Sequence, residues 1–235
     1  MNLIYLYFKL FKDFIRLGFS SDGDIKFAKE ILKHKKNGTY LDIGCYHPFK
    51  DSHTSYLYKN KWRGINVDIS KETIEMFKIL RPEDKNLNIG ISTRNGYQNA
   101  YFEKSISTVS SLDPYYLKKI GRKPLERRKI KVHTLNKIIQ LYSLKNIDFL
   151  KIDCEGLDTK IILNTNLKKL NCKFICIELL PQEVYGWETN YPINKPNQYF
   201  KNYFLKSKIY KKLKNDFKYC SNNQIAFLLI NKNFI

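Results

Sequence analysis

The stretch TYLDIGCYHPF, Thr39 to Phe49, opens as an apolar strand and breaks at Gly44 into a turn that carries a cysteine and a histidine. About 24 residues on, GINVDIS repeats the pattern with Asp68 at its end. Between them SHTSYLYKN reads as a helix, and beyond them KETIEMFKIL reads as a helix and NLNIGI as a strand. Strands that alternate with short helices imply right-handed crossovers and a mainly parallel sheet covered on both faces. Downstream, KIKVHTL, IDFLKID and KFICIELL read as further strands, and NKIIQLY and TKIILNTN as helices. The chain closes with a helix over 199–213 and an antiparallel hairpin, DFKYC then QIAFLLIN, turning at Ser221–Asn223.

Two stretches break the alternation. Residues 95–131 loosen after GYQNAYFE into a polar segment interrupted by Pro114 and Pro124, and a second irregular segment, PQEVYGWETNYPINKPNQY, follows the last parallel strand. Both lie on the carboxyl side of strands, where open parallel sheets bind their ligands. The basic run KKIGRKPLERRKIK reads as a solvated loop or as a phosphate-facing one, and the aromatic rings Tyr185, Trp187 and Tyr191 as sugar-stacking groups or as packing of a lid.

Composition sets the outer limits. A chain of 235 residues with 43% hydrophobic content is long enough for one large domain with its own core. The expected division is a helical extension over residues 1–37 and a single catalytic domain over 38–235. The net charge of +20 invites a nucleic-acid reading, but lysine outnumbers arginine 35 to seven, which speaks for compositional bias over dedicated phosphate reading. Five scattered cysteines fit reduced thiols in a cytoplasmic setting. Residues 3–19 are aromatic-rich but interrupted by Lys9, Lys12, Asp13 and Arg16. They suit a helix lying on protein or on the inner face of a membrane, not one that spans it.

A glycine in the first strand-to-helix turn and an acid ending the second strand are the general features of an adenosine-cofactor site. DIGCYHPF lacks the remaining glycines of a dinucleotide fingerprint, and the chain carries no Walker-type lysine loop. S-Adenosylmethionine, with no phosphate and a single sulfonium charge, suits Asp42 and a lone Gly44.

The run GTYLDIGCYHP, SHTSYLYKNKWRGINVDIS and FKILRPEDKNLNIGIS, followed by VHTLNKII and IDFLKIDCEGLDTKIIL, resembles the FkbM-type family of S-adenosylmethionine-dependent methyltransferases over about residues 38–180. The block Lys151–Gly156 is its most specific part. The resemblance implies a class I, Rossmann-like methyltransferase fold and methylation of an oxygen, often on a sugar. It implies that Asp42, Gly44 and Cys45 line the methionine and adenosine side of the cofactor, that Asp68 holds the ribose with Ile69 and Ser70 continuing the wall, and that Ile91 and Ser92 lie near the adenine. Asp153 and Glu155 would face the methyl group. Family members usually carry a longer acid two residues after the glycine of this block, where this chain has Asp158.

An alcohol acceptor needs its proton removed as it attacks, by a base or with help from a metal. Asp153 leads the candidates, followed by Glu155 and His47, with His53 and Glu178 nearby. Read as extended backbone, the spacing of two puts the Asp153 and Glu155 carboxylates on one side, where they can share a divalent metal or divide the work. The expected partner is a nucleotide sugar or other carbohydrate; oligomerisation is open. Two other functions compete: nucleic-acid methylation, disfavoured because KIDCEG stands where an exocyclic-amine motif belongs, and a non-catalytic module that uses the same fold for membrane or assembly contacts.

Overall fold

The computed structural model describes residues 22–179 and 196–234. A seven-stranded sheet forms its centre. In chain order its strands are β1 (Thr39–Ile43), β2 (Arg63–Asp68), β3 (Lys85–Asn88), β8 (Phe149–Ile152), β9 (Phe174–Glu178), β10 (Phe217–Asn223) and β11 (Ala226–Asn231). They lie in the order β10-β11-β9-β8-β1-β2-β3. The five from β3 to β9 are parallel, and β11 is antiparallel to both β9 and β10. The result is the mostly parallel α/β architecture that the alternating sequence predicts.

The two central strands are buried on both faces because a covered parallel sheet has no wet side. Alternate side chains go to opposite layers. Tyr40, Phe149 and Phe174 meet α1 (Asp22–His34) through Phe27 and Ile31, together with Trp62 and with Leu57 of α2 (Ser55–Lys59). Leu41, Ile43, Leu150, Ile152 and Ile175 meet the opposite layer. That layer holds α5 (Leu135–Leu141), α6 (Asp158–Asn164), α7 (Pro196–Lys206) and α8 (Lys208–Leu213), through residues such as Ile138, Ile162, Phe204 and Ile209. The α3 helix (Lys71–Leu80) starts at Ser70, whose hydroxyl accepts from the Thr73 N–H, and it covers the range KETIEMFKIL predicts.

Four expectations need correction. NLNIGI does not form one strand: Lys85–Asn88 stays in the large sheet, while Gly90–Ile91 (β4) enters a smaller one. The polar stretch after GYQNAYFE stays mostly irregular but is not one unbroken loop. It supplies β6 (Ser110–Ser111), α4 (Tyr116–Lys119) and the start of β7 (Glu126–His133), and with β5 (Gly96–Phe102) these strands build a second sheet, β4-β7-β5-β6. The expected helix over 199–213 is two helices. Ser207 takes extended backbone and its hydroxyl accepts from Tyr210 N–H, which starts α8 afresh. In the C-terminal hairpin Ser221–Asn223 belong to β10, and the turn is Gln224–Ile225, with Gln224 at φ 48°. The aromatic residues of the segment before α7 and the helix expected at residues 3–19 lie outside the described residues. No helix among the described residues is long and apolar enough to cross a membrane.

Candidate active site

Strand β1 sits between β2 and β8, so the chain leaves it toward one neighbour and returns later beside the other. That reversal opens a crevice at the carboxyl ends of the strands. The register aligns Ile43 with both Val67 and Ile152, which brings Gly44, Asp68 and Asp153 together at three neighbouring tips. Gly44 N–H donates to Val67 O at 2.9 Å and Asp153 N–H donates to Ile43 O at 3.0 Å. Gly44 has φ +72°, and a Cβ there would stand 1.8 Å from the Asp153 carbonyl oxygen. Only glycine fits, for conformation and for space alike.

An open cleft of about 550 Å³ lies over these tips. Of the residues expected to bind cofactor or act in chemistry, Gly44, Asp68, Ile69, Ile91, Asp153 and Glu155 line it. Tyr46, Ser107, Thr108 and Ser110 contribute further wall. Asp42, Cys45, His47, Ser70 and Ser92 lie outside the lining. Asp42 is buried beneath the floor; Cys45 packs on Ile74 and Phe77, and burial pushes its thiol well up. His47 is buried, and its Nδ1 accepts from the N–H groups of Phe49 and Lys50 at 3.3 and 3.1 Å, so the ring holds the first loop closed. His53 stacks on Phe27, with ring centroids 5.4 Å apart. Ser92 donates its hydroxyl to Gln98.

Asp68 is fixed by backbone: its Oδ2 accepts from Tyr46 N–H at 3.0 Å and its Oδ1 from Ser70 N–H at 2.8 Å. Each oxygen keeps a second lone pair for a ligand hydroxyl. Burial pushes this carboxyl up to about 6, against the two N–H groups that pull it down.

Asp153 is the centre of a buried polar network. Lys151, its neighbour but one on β8, is almost fully buried and stands opposite Asp42 in register. Its Nζ donates to Gly44 O at 2.6 Å and to Asp153 Oδ2 at 3.1 Å, and lies 3.8 Å from Asp42 Oδ1. Burial works to lower the ammonium, but Asp153, Asp42 and Glu178 outweigh it and hold it well above the usual lysine range. Asp42 Oδ2 accepts from Thr54 Oγ1 at 2.6 Å, and Thr54 Oγ1 accepts from Arg81 Nη1 at 2.8 Å. Arg81, also buried, donates to Pro48 O and to Ser52 Oγ. The first loop and the strand tips are thus tied from beneath by one chain of charged and hydroxyl groups. Asp153 Oδ1 is left buried with no hydrogen-bond partner.

Glu155 reaches the cleft by a route the sequence spacing does not describe. The strand ends at Ile152, and Glu155 takes φ +47°, so the two-residue alternation does not extend to it. Its carbonyl accepts from Ser111 Oγ at 2.7 Å, and its carboxyl pairs with the Tyr116 hydroxyl. Gly156, at φ +98°, lets the Tyr116 ring in: a Cβ would stand 2.5 Å from Cδ2 of that ring. Burial and Asp153 push Glu155 well above the usual carboxylate range; burial, Asp153 and Glu155 do the same to Glu178. Burial and Asp153 carry Asp158, whose Oδ1 accepts from Cys154 N–H at 2.8 Å, up to about 7. Among the described residues no three His, Cys, Asp or Glu side chains gather to hold a metal ion.

Lys151 and Tyr116 join the site without having been singled out from sequence. A lysine inside the apolar run FLKI is itself a signal, because a buried ammonium needs an acid beside it. Tyr116 gives no such sign.

The Methyltransferase FkbM domain family matches residues 42–214, well over half of the chain. The chain belongs to the FkbM methyltransferase family. The match takes in the strand tips, the Lys151 network and all four strands of the second sheet. No curated protein matches the sequence at a significant level.

Proposed function

We propose that this FkbM methyltransferase transfers a methyl group from S-adenosylmethionine to a hydroxyl of a sugar, in a nucleotide sugar or a surface glycan. The observation that carries the reading is the pairing, over one cleft, of an adenosine-type cradle with an unpartnered carboxylate oxygen. Gly44 and Asp68 form the first and Asp153 Oδ1 the second.

The residues present fit the cofactor. Gly44 lets the first turn close against the Asp153 backbone at the cleft floor, Asp68 offers acceptor lone pairs to the ribose hydroxyls, and Ile69, Ile89 and Ile91 supply apolar wall for the adenine. When bound, S-adenosylmethionine supplies an activated methyl on a sulfonium leaving group. The protein's part is to orient the acceptor and take its proton.

Asp153 Oδ1 accepts that proton. Lys151 fixes the other oxygen of the same carboxylate, so the base does not swing on binding, and a preorganised base is worth about 10²–10⁴-fold. Glu155, pushed above the usual carboxylate range by burial and Asp153 and steadied by Tyr116, donates a hydrogen bond to the acceptor in its protonated form and then does not compete for the proton. His47 has its Nδ1 committed to the loop and is assigned to structure. In the metal-sharing version Asp153 and Glu155 would hold the ion, with Glu155 then ionised.

The test is a screen of nucleotide sugars and extracted glycans for labelled methyl transfer. Transfer to a sugar oxygen supports the reading. Transfer to a nitrogen, or to nucleic acid alone, contradicts it.

A further inference from the structure

The second sheet has an inner face that packs on the core through Ala100, Phe102 and Val132, and an outer face of a different kind. Along β7, Arg127, Lys129 and Lys131 alternate outward and are exposed, about 7 Å apart by strand geometry. In register across from them on β5 stand Tyr101, Asn99 and Tyr97. Lys129 Nζ lies 5.5 Å from the centre of the Tyr97 ring. Leu125, two residues before Arg127, is 80% exposed, and Tyr97 is 61% exposed.

No carboxylate among the described residues pairs with Arg127, Lys129 or Lys131. The acids of this region are taken up elsewhere: Glu126 and Glu72 bind Arg128, which lies on the other face across from Ala100, and Glu103 binds Arg122. A chain of net charge +20 leaves many cations unpaired, so what distinguishes this strand is the large exposed leucine and tyrosine that stand beside them.

We propose that this face docks on an anionic lipid surface. The cations meet the headgroups, Tyr97 sits at headgroup level, and Leu125 enters the acyl boundary. A nucleic acid or acidic polymer would be met by the same cations but would give Leu125 nothing to bury against. Ser110, opposite the buried Phe102 on the inner face, lines the cleft, so docking holds the cleft within about one sheet's thickness, roughly 10 Å, of the bound surface. The inference does not depend on which cofactor or acceptor the cleft takes.

The experiment is cosedimentation of the full chain with phosphatidylcholine vesicles, with and without phosphatidylglycerol. Wild type is expected to bind only the vesicles containing phosphatidylglycerol, and less with added salt. The triple variant Arg127→Gln, Lys129→Gln, Lys131→Gln should partition about 100-fold less, at about fivefold per cation. Leu125→Ser should weaken binding and leave its salt dependence in place. Lys168→Gln with Lys169→Gln, exposed on another surface, should change nothing. All these positions are exposed, so thermal melts should match wild type. A triple variant that binds like wild type overturns the proposal. So does wild type that ignores phosphatidylglycerol but binds RNA through these residues.

Discussion

Lys151 Nζ donates to the carbonyl oxygen of Gly44 at 2.6 Å, so a buried cation from one strand holds the glycine turn that ends the next. The same ammonium fixes Asp153 and faces Asp42, which makes it the junction of the proposed cofactor cradle and the proposed base. Lys151→Met is expected to leave Asp42 and Asp153 buried without their cation and to cost roughly 3–5 kcal/mol. Denaturant unfolding measures this. The double variant Lys151→Met, Asp42→Asn should recover part of the loss, and a loss below about 1 kcal/mol for the single variant would show that the network contributes little.

Gly44→Ala places a methyl group against the Asp153 backbone in a left-handed conformation. The expected outcome is destabilisation by at least about 2 kcal/mol together with loss of cofactor binding. Thermal unfolding with and without S-adenosylmethionine separates the two effects.

Asp153→Asn keeps the shape of the side chain and removes its basicity. Methyl transfer should fall by about 10²–10⁴-fold while cofactor affinity stays within a few-fold. Full turnover in this variant takes Asp153 out of the base role. A chelator that leaves the wild-type rate unchanged removes the metal-sharing version.

Asp158 ties its protonation to stability. Its carboxyl rises from an ordinary 3.8 to about 7 in the folded protein, so the fold keeps a proton that the unfolded chain has released. That contribution is fully present below about pH 4 and is lost as pH climbs to about 7. In Asp158→Asn the amide carbonyl still accepts from Cys154 N–H, and no charge develops. The variant should match wild type near pH 4 and exceed it at pH 8 by on the order of 2–4 kcal/mol. Equal stability of the two at pH 8 would contradict the raised value.

The central sheet was legible because its strands are apolar runs of the right length between turn residues, and the helix KETIEMFKIL because its cap and periodicity agree. Gly44 and Asp68 were legible from their places at strand ends, and Asp153 came from the family resemblance. The second sheet was not legible: β4 and β6 have two residues each, and β7 begins in the polar run ERRK, whose pairing with β5 is a long-range choice no local pattern records. The same limit applies to Glu155. Its left-handed backbone breaks the alternation the spacing suggests, and Tyr116, 39 positions earlier in the chain, reaches it only through the fold.

Isothermal titration of the purified chain with S-adenosylmethionine and with S-adenosylhomocysteine, beside Asp68→Ala, tests the central reading most directly. One ligand per chain is expected for wild type, with binding lost or weakened at least about tenfold once the ribose acceptor is gone. Heat from neither ligand, or equal affinity in the variant, would mean that this cleft does not hold the methyl donor.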